Sequence, residues 1–255
     1  MRFASLASGS GGNALIVEHG RTRVMVDCGL GPRDAEVRLG RLGLTPADLA
    51  AIAVTHEHDD HAGGAVAFSQ KHAIPVYVTF GTCRALALDP DAMPLARVID
   101  SHRPFYIDGL CVQPVPVPHD AREPVQFVFS DGDRRLAVLT DAGTPTRHMI
   151  EMMSGCDALV LECNHDPEML ANGPYPGWLK ARVGGPFGHL SNHQSSALLA
   201  ALDRSRLQHL VAAHLSASNN TPDLARAALA QVVGCTEDWI AIADQKAGLD
   251  WRDIR

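Results

Sequence analysis

The chain has 255 residues, 46% hydrophobic and 20% charged, which excludes a disordered chain and leaves room for one layered domain, or two closely fused halves, around a sizeable core. Its formal net charge of −7 excludes a protein that coats nucleic acid or anionic membrane by bulk charge. Its 13 histidines, against 7 Phe, 3 Tyr and 3 Trp, are more than aromatic packing explains.

From the amino terminus, Phe3–Leu6, Ala14–Glu18 and Thr22–Asp27 read as strands, the last two joined by a tight turn at His19-Gly20. Pro32–Leu42 reads as an amphipathic helix, and Thr45 caps a further turn opened by Pro46. Ile52–Thr55 is a short buried strand that empties into His56. A helix over Gly64–His72, a strand over Pro75–Phe80 and a helix over Thr82–Leu88 follow, then strands over Leu110–Val117, Val125–Ser130 and Arg135–Thr140. Helices over Thr146–Ser154, Gln194–Asp203 and Pro222–Val232 alternate with strands over Ala158–Glu162, Leu207–Ala213 and Trp239–Ala243. This order fits mixed sheets sandwiched between helices. With no repeat and no low-complexity linker, residues 1–255 read as one domain, with the Gly- and Pro-rich stretch Asn164–Asn192 as a loop-rich substrate insert.

No apolar run approaches the roughly 18 residues of a membrane span, and the first residues meet a Ser/Gly stretch before a signal peptide can build up, so a cytoplasmic protein is expected. The 6 cysteines (Cys28, Cys83, Cys111, Cys156, Cys163 and Cys235) are scattered with no Cys-x-x-Cys pair, which predicts reduced thiols and excludes a zinc finger.

Thr55-His56-Glu57-His58-Asp59-Asp60-His61 concentrates the chemistry. On extended backbone alternate side chains point the same way, so His56 and His58 can face one metal, and Asp60 and His61 can face a second where the chain turns into a helix. Imidazole with carboxylate suits zinc, manganese or iron better than calcium or magnesium. A merely solvated polar loop would not place 4 potential ligands in 6 positions at the end of an apolar strand.

The pattern His56-x-His58-x-Asp60-His61 resembles the hallmark of the metallo-β-lactamase superfamily. The resemblance implies an α/β (α+β) fold, a four-layer αββα sandwich of two mixed sheets with a dinuclear site at one edge. It implies His119 as the third ligand of the first metal, Asp141 as a bridging ligand, His214 as the last ligand of the second metal, and Asp27 as a carboxylate that orients the histidine loop. Each of these four residues ends an apolar strand. Asp141 together with His61 resembles the glyoxalase, lactonase and phosphodiesterase branches, which makes antibiotic hydrolysis an unfavourable reading.

Ser5–Ala14, Leu161–Asp166, Gly188–Asn192 and His214–Asn220 resemble the YycJ/WalJ-like group, whose members are described as nucleases, including 5′-exonuclease activity on DNA. The short interval from Asp141 to His214 leaves no room for the extra domain of the β-CASP nucleases. The implied activity is a dinuclear phosphodiesterase or nuclease on DNA or RNA ends, in which a hydroxide bridging two divalent ions, zinc before manganese or iron, attacks in line. Asp60, Asp141, His165 and His189 are its expected catalytic residues, and Ser10, Asn13, His165, His189 and Ser216 its substrate contacts. His165 and His189 would touch phosphate or protonate the leaving oxygen, or one could replace a metal ligand. The rival reading is hydrolysis of a small ester, such as a cyclic phosphodiester, a lactone or a glyoxalase II-like thioester. A fold that binds metal without turnover fits the intact ligand set poorly.

Ser8-Gly9-Ser10-Gly11-Gly12-Asn13 precedes a strand rather than a helix, so it is no P-loop or dinucleotide fingerprint, although its backbone N–H groups, Ser10 and Asn13 can still cradle an anion. Lys180 and Arg182, with Arg103 and Arg122, can form a local basic path beside Trp178 or Tyr175, either of which can stack a base.

Overall fold

The chain forms two seven-stranded sheets, seen in a computed structural model that describes residues 1–89 and 93–255. It lays down β1 (Arg2–Ala7), β2 (Ala14–His19), β3 (Thr22–Val26), β4 (Ala51–Ala53), β5 (Val76–Thr79) and β6 (Ala96–Ile99) in the first sheet. The second takes β7 (Phe105–Ile107), β8 (Leu110–Pro116), β9 (Val125–Ser130), β10 (Arg135–Leu139), β11 (Ala158–Glu162), β12 (His209–Ala213) and β13 (Ala241–Ile242), and β14 (Leu249–Asp253) returns to the first. The spatial orders are β14-β1-β2-β3-β4-β5-β6 and β13-β12-β11-β10-β9-β8-β7. In both sheets antiparallel pairing over the first four strands of one end (β14 to β3, β7 to β10) gives way to parallel pairing over the rest.

The two-residue period of the strands sorts their side chains into three apolar layers. Val24 and Val26 of β3, Phe127 and Phe129 of β9, and Val138 of β10 meet between the sheets. Met25 faces the other way, with Ile16, Ile52 and Val76, against α1 (Pro32–Arg41), α2 (Asp59–Ala62), α3 (Ala65–His72) and α4 (Phe80–Ala85), which contribute Leu39, Ala62, Phe68 and Cys83. In chain order follow α5 (Arg147–Met153), α6 (Pro167–Asn172), α7 (Gly177–Val183), α8 (Asn192–Ala201) and α9 (Pro222–Val233), of which α5, α8 and α9 pack on the outer face of the second sheet. Met149, Met153, Leu198, Leu199 and Leu229 of these helices cover Leu139, Leu159 and Leu161. Fully burying such a side chain is worth roughly 1.5–3 kcal/mol, so each layer is held by many small increments. The result is the expected αββα sandwich.

Departures from the sequence reading sit at edges and short elements. β6, β7 and β14 carry no predicted strand: β6 is an edge with exposed Arg97 and Val98, and β14 reads Leu-Asp-Trp-Arg-Asp, too polar to announce itself. Helix α4 starts at Phe80 rather than Thr82 because the Thr79 hydroxyl accepts the Thr82 N–H. Trp239 lies in a 3-10 turn before a two-residue β13 rather than inside a strand. The stretch Asn164–Asn192 is more ordered than a loop-rich insert, since it holds both α6 and α7. Asp166 caps α6 by accepting from Glu168 and Met169 N–H, and Pro167 occupies its first turn.

Candidate metal centre

Strand ends deliver the polar residues to one edge of the sandwich. Asp27 follows β3, Thr55 and His56 lie just past β4, His119 follows β8, Asp141 follows β10, Glu162 ends β11 and His214 follows β12. Asp27 and His214 take left-handed backbone, with φ of 60° and 54°, at a cost of about 1–3 kcal/mol each that the surroundings must offset. Asp27 N–H donates to Ala53 O at 2.9 Å, while its carboxylate accepts Thr55 N–H at 2.7 Å. His214 N–H donates to Ser8 Oγ at 2.8 Å, and its carbonyl accepts from Asn164 Nδ2 at 3.1 Å.

His56, His58 and His119 form one donor group and Asp60, His61 and His214 another, the ligand atoms of each lying within 4.8 Å of one another. Asp141 stands between them and joins a group with His56 and His61 and a further one with Glu162, His189 and His214. The rings are presented in defined orientations. His61 Nδ1–H donates to Asp27 Oδ2 at 2.7 Å, which turns Nε2 toward Asp141, and His119 Nδ1–H donates to Gly188 O at 2.9 Å, which turns Nε2 toward His58 Nδ1, 3.3 Å away.

Electrostatics show what the cluster lacks. Asp141 is 1% exposed, with His61 Nε2 2.5 Å from Oδ2 and the Nδ1 atoms of His189 and His214 at 2.8 and 3.0 Å from Oδ1. Yet neither carboxylate oxygen has a hydrogen-bond donor aligned on it. Burial pushes His56 and His119 below the usual histidine range, keeping them as neutral imidazoles with a lone pair to give. Burial also opposes charge on His61, but the Asp141 and Asp27 carboxylates outweigh it and hold His61 up at about 10. Against the same burial, Glu162 and Asp141 hold His189 at about 9, and Asp141, Asp60 and Glu162 raise His214 well above its ordinary value. A buried carboxylate without aligned donors, a surplus of negative charge and free imidazole lone pairs are what divalent cations satisfy.

A cleft of about 300 Å³ opens over the cluster, lined by Ser10, His58, Asp59, Asp60, Asp120, Asp141, Tyr175, Leu179, Arg182, Val183, Gly188, His189 and His214. Of the predicted substrate contacts, Ser10 and His189 line it. Asn13 is buried below, where its Nδ2 donates to Asp60 O at 3.1 Å and lies 3.1 Å from His61 Nε2, so it holds the ligand turn rather than facing the cleft. Ser216 is buried, accepting from Asn219 N–H. His165 departs from expectation in the same way: it is 3% exposed, bridges Ser191, has a buried unpartnered Nδ1, is pushed by burial down to about 4, and is not part of the cleft lining. Of the four predicted basic residues, Arg182 alone lines the cleft, held to Asp120 Oδ2 at 2.6 Å.

Two participants escaped sequence reading. Glu162 is fully buried, lies 2.8 Å from His189 Nδ1 and 3.3 Å from His214 Nδ1, and accepts the N–H groups of Ala142 and Leu190. Its signal was available, since it ends an apolar strand as the other site residues do. Asp120 lies 3.5 Å from His119 Nε2 and 3.7 Å from His58 Nε2, and nothing beyond its neighbour His119 marks it in the sequence.

The ligand turn also depends on a close backbone approach. A Cβ at Gly29 would sit 1.9 Å from Asp60 O, whereas one at Gly31 would meet nothing within 4 Å. Gly29→Ala is therefore expected to displace Asp60 and His61, lowering bound metal and costing roughly 1–3 kcal/mol of stability, while Gly31→Ala leaves both near wild type. Metal analysis and thermal melting of the two variants check this, and equal behaviour of both would refute it.

Comparison with known proteins places this geometry in context. Residues 22–215 match the family model for the β-lactamase superfamily domain. The chain is 34% identical to the exodeoxyribonuclease YycJ of Bacillus anthracis, over 91% of this chain and 89% of that protein. It is 29% identical to the exodeoxyribonuclease WalJ of Streptococcus pneumoniae serotype 2 (strain D39), over 98% of this chain and 92% of that protein. The crystal structure of the metallo-β-lactamase fold protein YhfI from Bacillus subtilis superposes with a TM-score of 0.75 at 15% identity, covering 99% of both chains.

Proposed function

The chain belongs to the metallo-β-lactamase superfamily, and from that premise we propose that it is a metal-dependent phosphodiesterase of the nuclease kind, acting on nucleic-acid ends. The observation that carries this reading is the pair of three-donor groups with Asp141 between them at the floor of a cleft whose wall holds His189. The names of the two curated relatives point the same way.

His56, His58 and His119 would hold one divalent ion and Asp60, His61 and His214 a second, with Asp141 shared. Such ions, zinc before manganese or iron, supply Lewis acidity and a water activated near neutral pH. The protein does the rest. Asp27 and Thr55 fix the His61 ring, and Asn13 steadies the Asp60 turn. In the cleft, Ser10 and Arg182 are placed to contact non-bridging phosphate oxygens. As water adds to phosphorus and gives up a proton to solvent, the bond to the leaving sugar oxygen breaks and that oxygen takes a proton from His189, whose Nδ1 is engaged by Glu162 and whose Nε2 is the remaining nitrogen; solvent then returns a proton to His189.

The compact cleft also favours a second reading, hydrolysis of a small ester. Metal-reconstituted protein assayed on 5′-phosphorylated single- and double-stranded oligonucleotides, bis(p-nitrophenyl) phosphate and S-lactoylglutathione separates the two. Cleavage of the oligonucleotides and the aryl phosphodiester is expected, and turnover of the thioester alone would overturn the nuclease reading.

A further inference from the structure

Resting on the nuclease reading, we infer that Gln245 is a positioning residue of the cleft. From the crossover between the two sheets it braces the tip of the Ser8–Asn13 loop, and so sets where Ser10 meets a phosphodiester. Ser10 lines the cleft, whereas Gln245 belongs to the turn that carries the chain from β13 back to β14. Gln245 Oε1 accepts Gly11 N–H at 2.7 Å, and Gln245 Nε2 donates to Gly12 O at 2.9 Å. One side-chain amide thus grips the backbone immediately after Ser10 with both its acceptor and its donor.

The tip passes closely between Gln245 and the chain just after the ligand His214. Gly9 takes a φ of 137°, and a Cβ there would lie 2.7 Å from Gln245 Oε1 and 3.4 Å from Leu215 O. The loop amides are also engaged: Gly9 N–H donates to Asn13 Oδ1 at 2.8 Å and Gly12 N–H to Gly9 O at 3.0 Å, beside Gly11 N–H on Gln245. The anion cradle expected from Ser8-Gly9-Ser10-Gly11-Gly12-Asn13 is therefore largely filled by the protein's own acceptors, and the loop is left to offer the exposed Ser10 side chain.

The brace is stiff at its own end. Asp244 Oδ1 accepts the N–H groups of Lys246 and Ala247 at 2.7 Å, and Asp244 and Gly248 exchange backbone hydrogen bonds at 3.1 Å. Arg38 Nη1, from α1, lies 3.0 Å from the carbonyls of Leu6 and Gln245 and 3.1 Å from that of Lys246. A side chain presented from so fixed a turn gives up little freedom in bonding the loop. The base of the loop is held without it, since Ser8 Oγ accepts His214 N–H at 2.8 Å and Asn13 N–H donates to Asp60 O at 2.7 Å. Truncating Gln245 should consequently loosen Ser10 and leave the metal ligands in place. Loss of a contact made equally in the ground and transition states raises KM and spares kcat.

A double-mutant cycle on metal-reconstituted protein tests this, with bis(p-nitrophenyl) phosphate and a 5′-phosphorylated oligonucleotide as substrates and metal per chain as a separate readout. Gln245→Ala is expected to raise KM about tenfold, with kcat within about twofold and metal content unchanged. Ser10→Ala should raise KM to a similar extent, and the double variant no further than the larger single effect, because Gln245 acts through Ser10. Gln245→Glu keeps the acceptor for Gly11 N–H but cannot donate to Gly12 O, and should recover part of the loss. A wild-type KM in Gln245→Ala, additive effects in the double variant, or a fall in kcat together with lost metal would overturn the positioning role while leaving a nuclease. A wild type that turns over S-lactoylglutathione but neither phosphodiester would instead remove the nuclease reading on which it rests.

Discussion

Asp141→Ala is expected to abolish metal binding and hydrolysis together, with kcat on bis(p-nitrophenyl) phosphate down by about 10³ or more. Among the described residues Asp141 is the carboxylate that stands between the two donor groups, and the three imidazole nitrogens around it are not aligned as donors. Removing it takes a ligand from both prospective ions at once and withdraws the charge that organises His61 and His214. His61→Ala is expected to act in the same direction from the second group alone. Atomic emission counts metal per chain, and thermal melting with and without added metal gives an independent readout, since the stabilisation the wild type gains from the ion should vanish in both variants. Two ions retained in both would show the second site to be misplaced.

His189→Ala should behave differently: activity on oligonucleotides falls by about 10²–10⁴ with metal content unchanged. Its Nδ1 sits 2.8 Å from both Glu162 and Asp141, so the same ring could serve as proton donor or as ligand. Leaving groups separate the roles. A p-nitrophenolate departs without a proton, whereas a sugar alkoxide needs one, so loss of an acid cripples oligonucleotide cleavage far more than cleavage of the aryl ester. Equal losses on both substrates, accompanied by a missing ion, would make His189 a ligand. Glu162→Gln, which keeps the shape and removes the charge, should reproduce part of the His189→Ala defect.

Sequence alone carried much of this, for a physical reason. A ligand at the end of an apolar strand stands out against its run, as Asp27 does after Val24-Met25-Val26 and His214 after Val211-Ala212-Ala213, and these same strands fill both sides of each sheet. Residues whose part depends on what lies behind them were not legible. Asn13 and Ser216 look alike to Ser10 in composition, yet only Ser10 reaches the cleft, because the loop folds Asn13 under the ligand turn. His165 sits among loop residues in sequence and is buried in space. Asp120 accepts from Arg182, 62 positions away, a pairing that no local pattern encodes. Edge strands such as β14 were hidden for the opposite reason, since solvent on one side erases their apolar signature.

The division of each donor group between the two sheets has a mechanical meaning. His58 meets His119 across 61 positions of chain, and Asp60 meets His214 across 154, so the first group and the second each join a residue from beside the first sheet to one from beside the other. With all six cysteines free, no disulfide cross-links the described residues, and occupied metal groups would add long-range staples at the site edge. They would close loops as a disulfide does, lowering the entropy of the opened chain, but reversibly and in response to metal supply. A chelator would then unlatch the sandwich at its catalytic edge first, so that protease sensitivity near the cleft would report metal loading before any loss of the distant core.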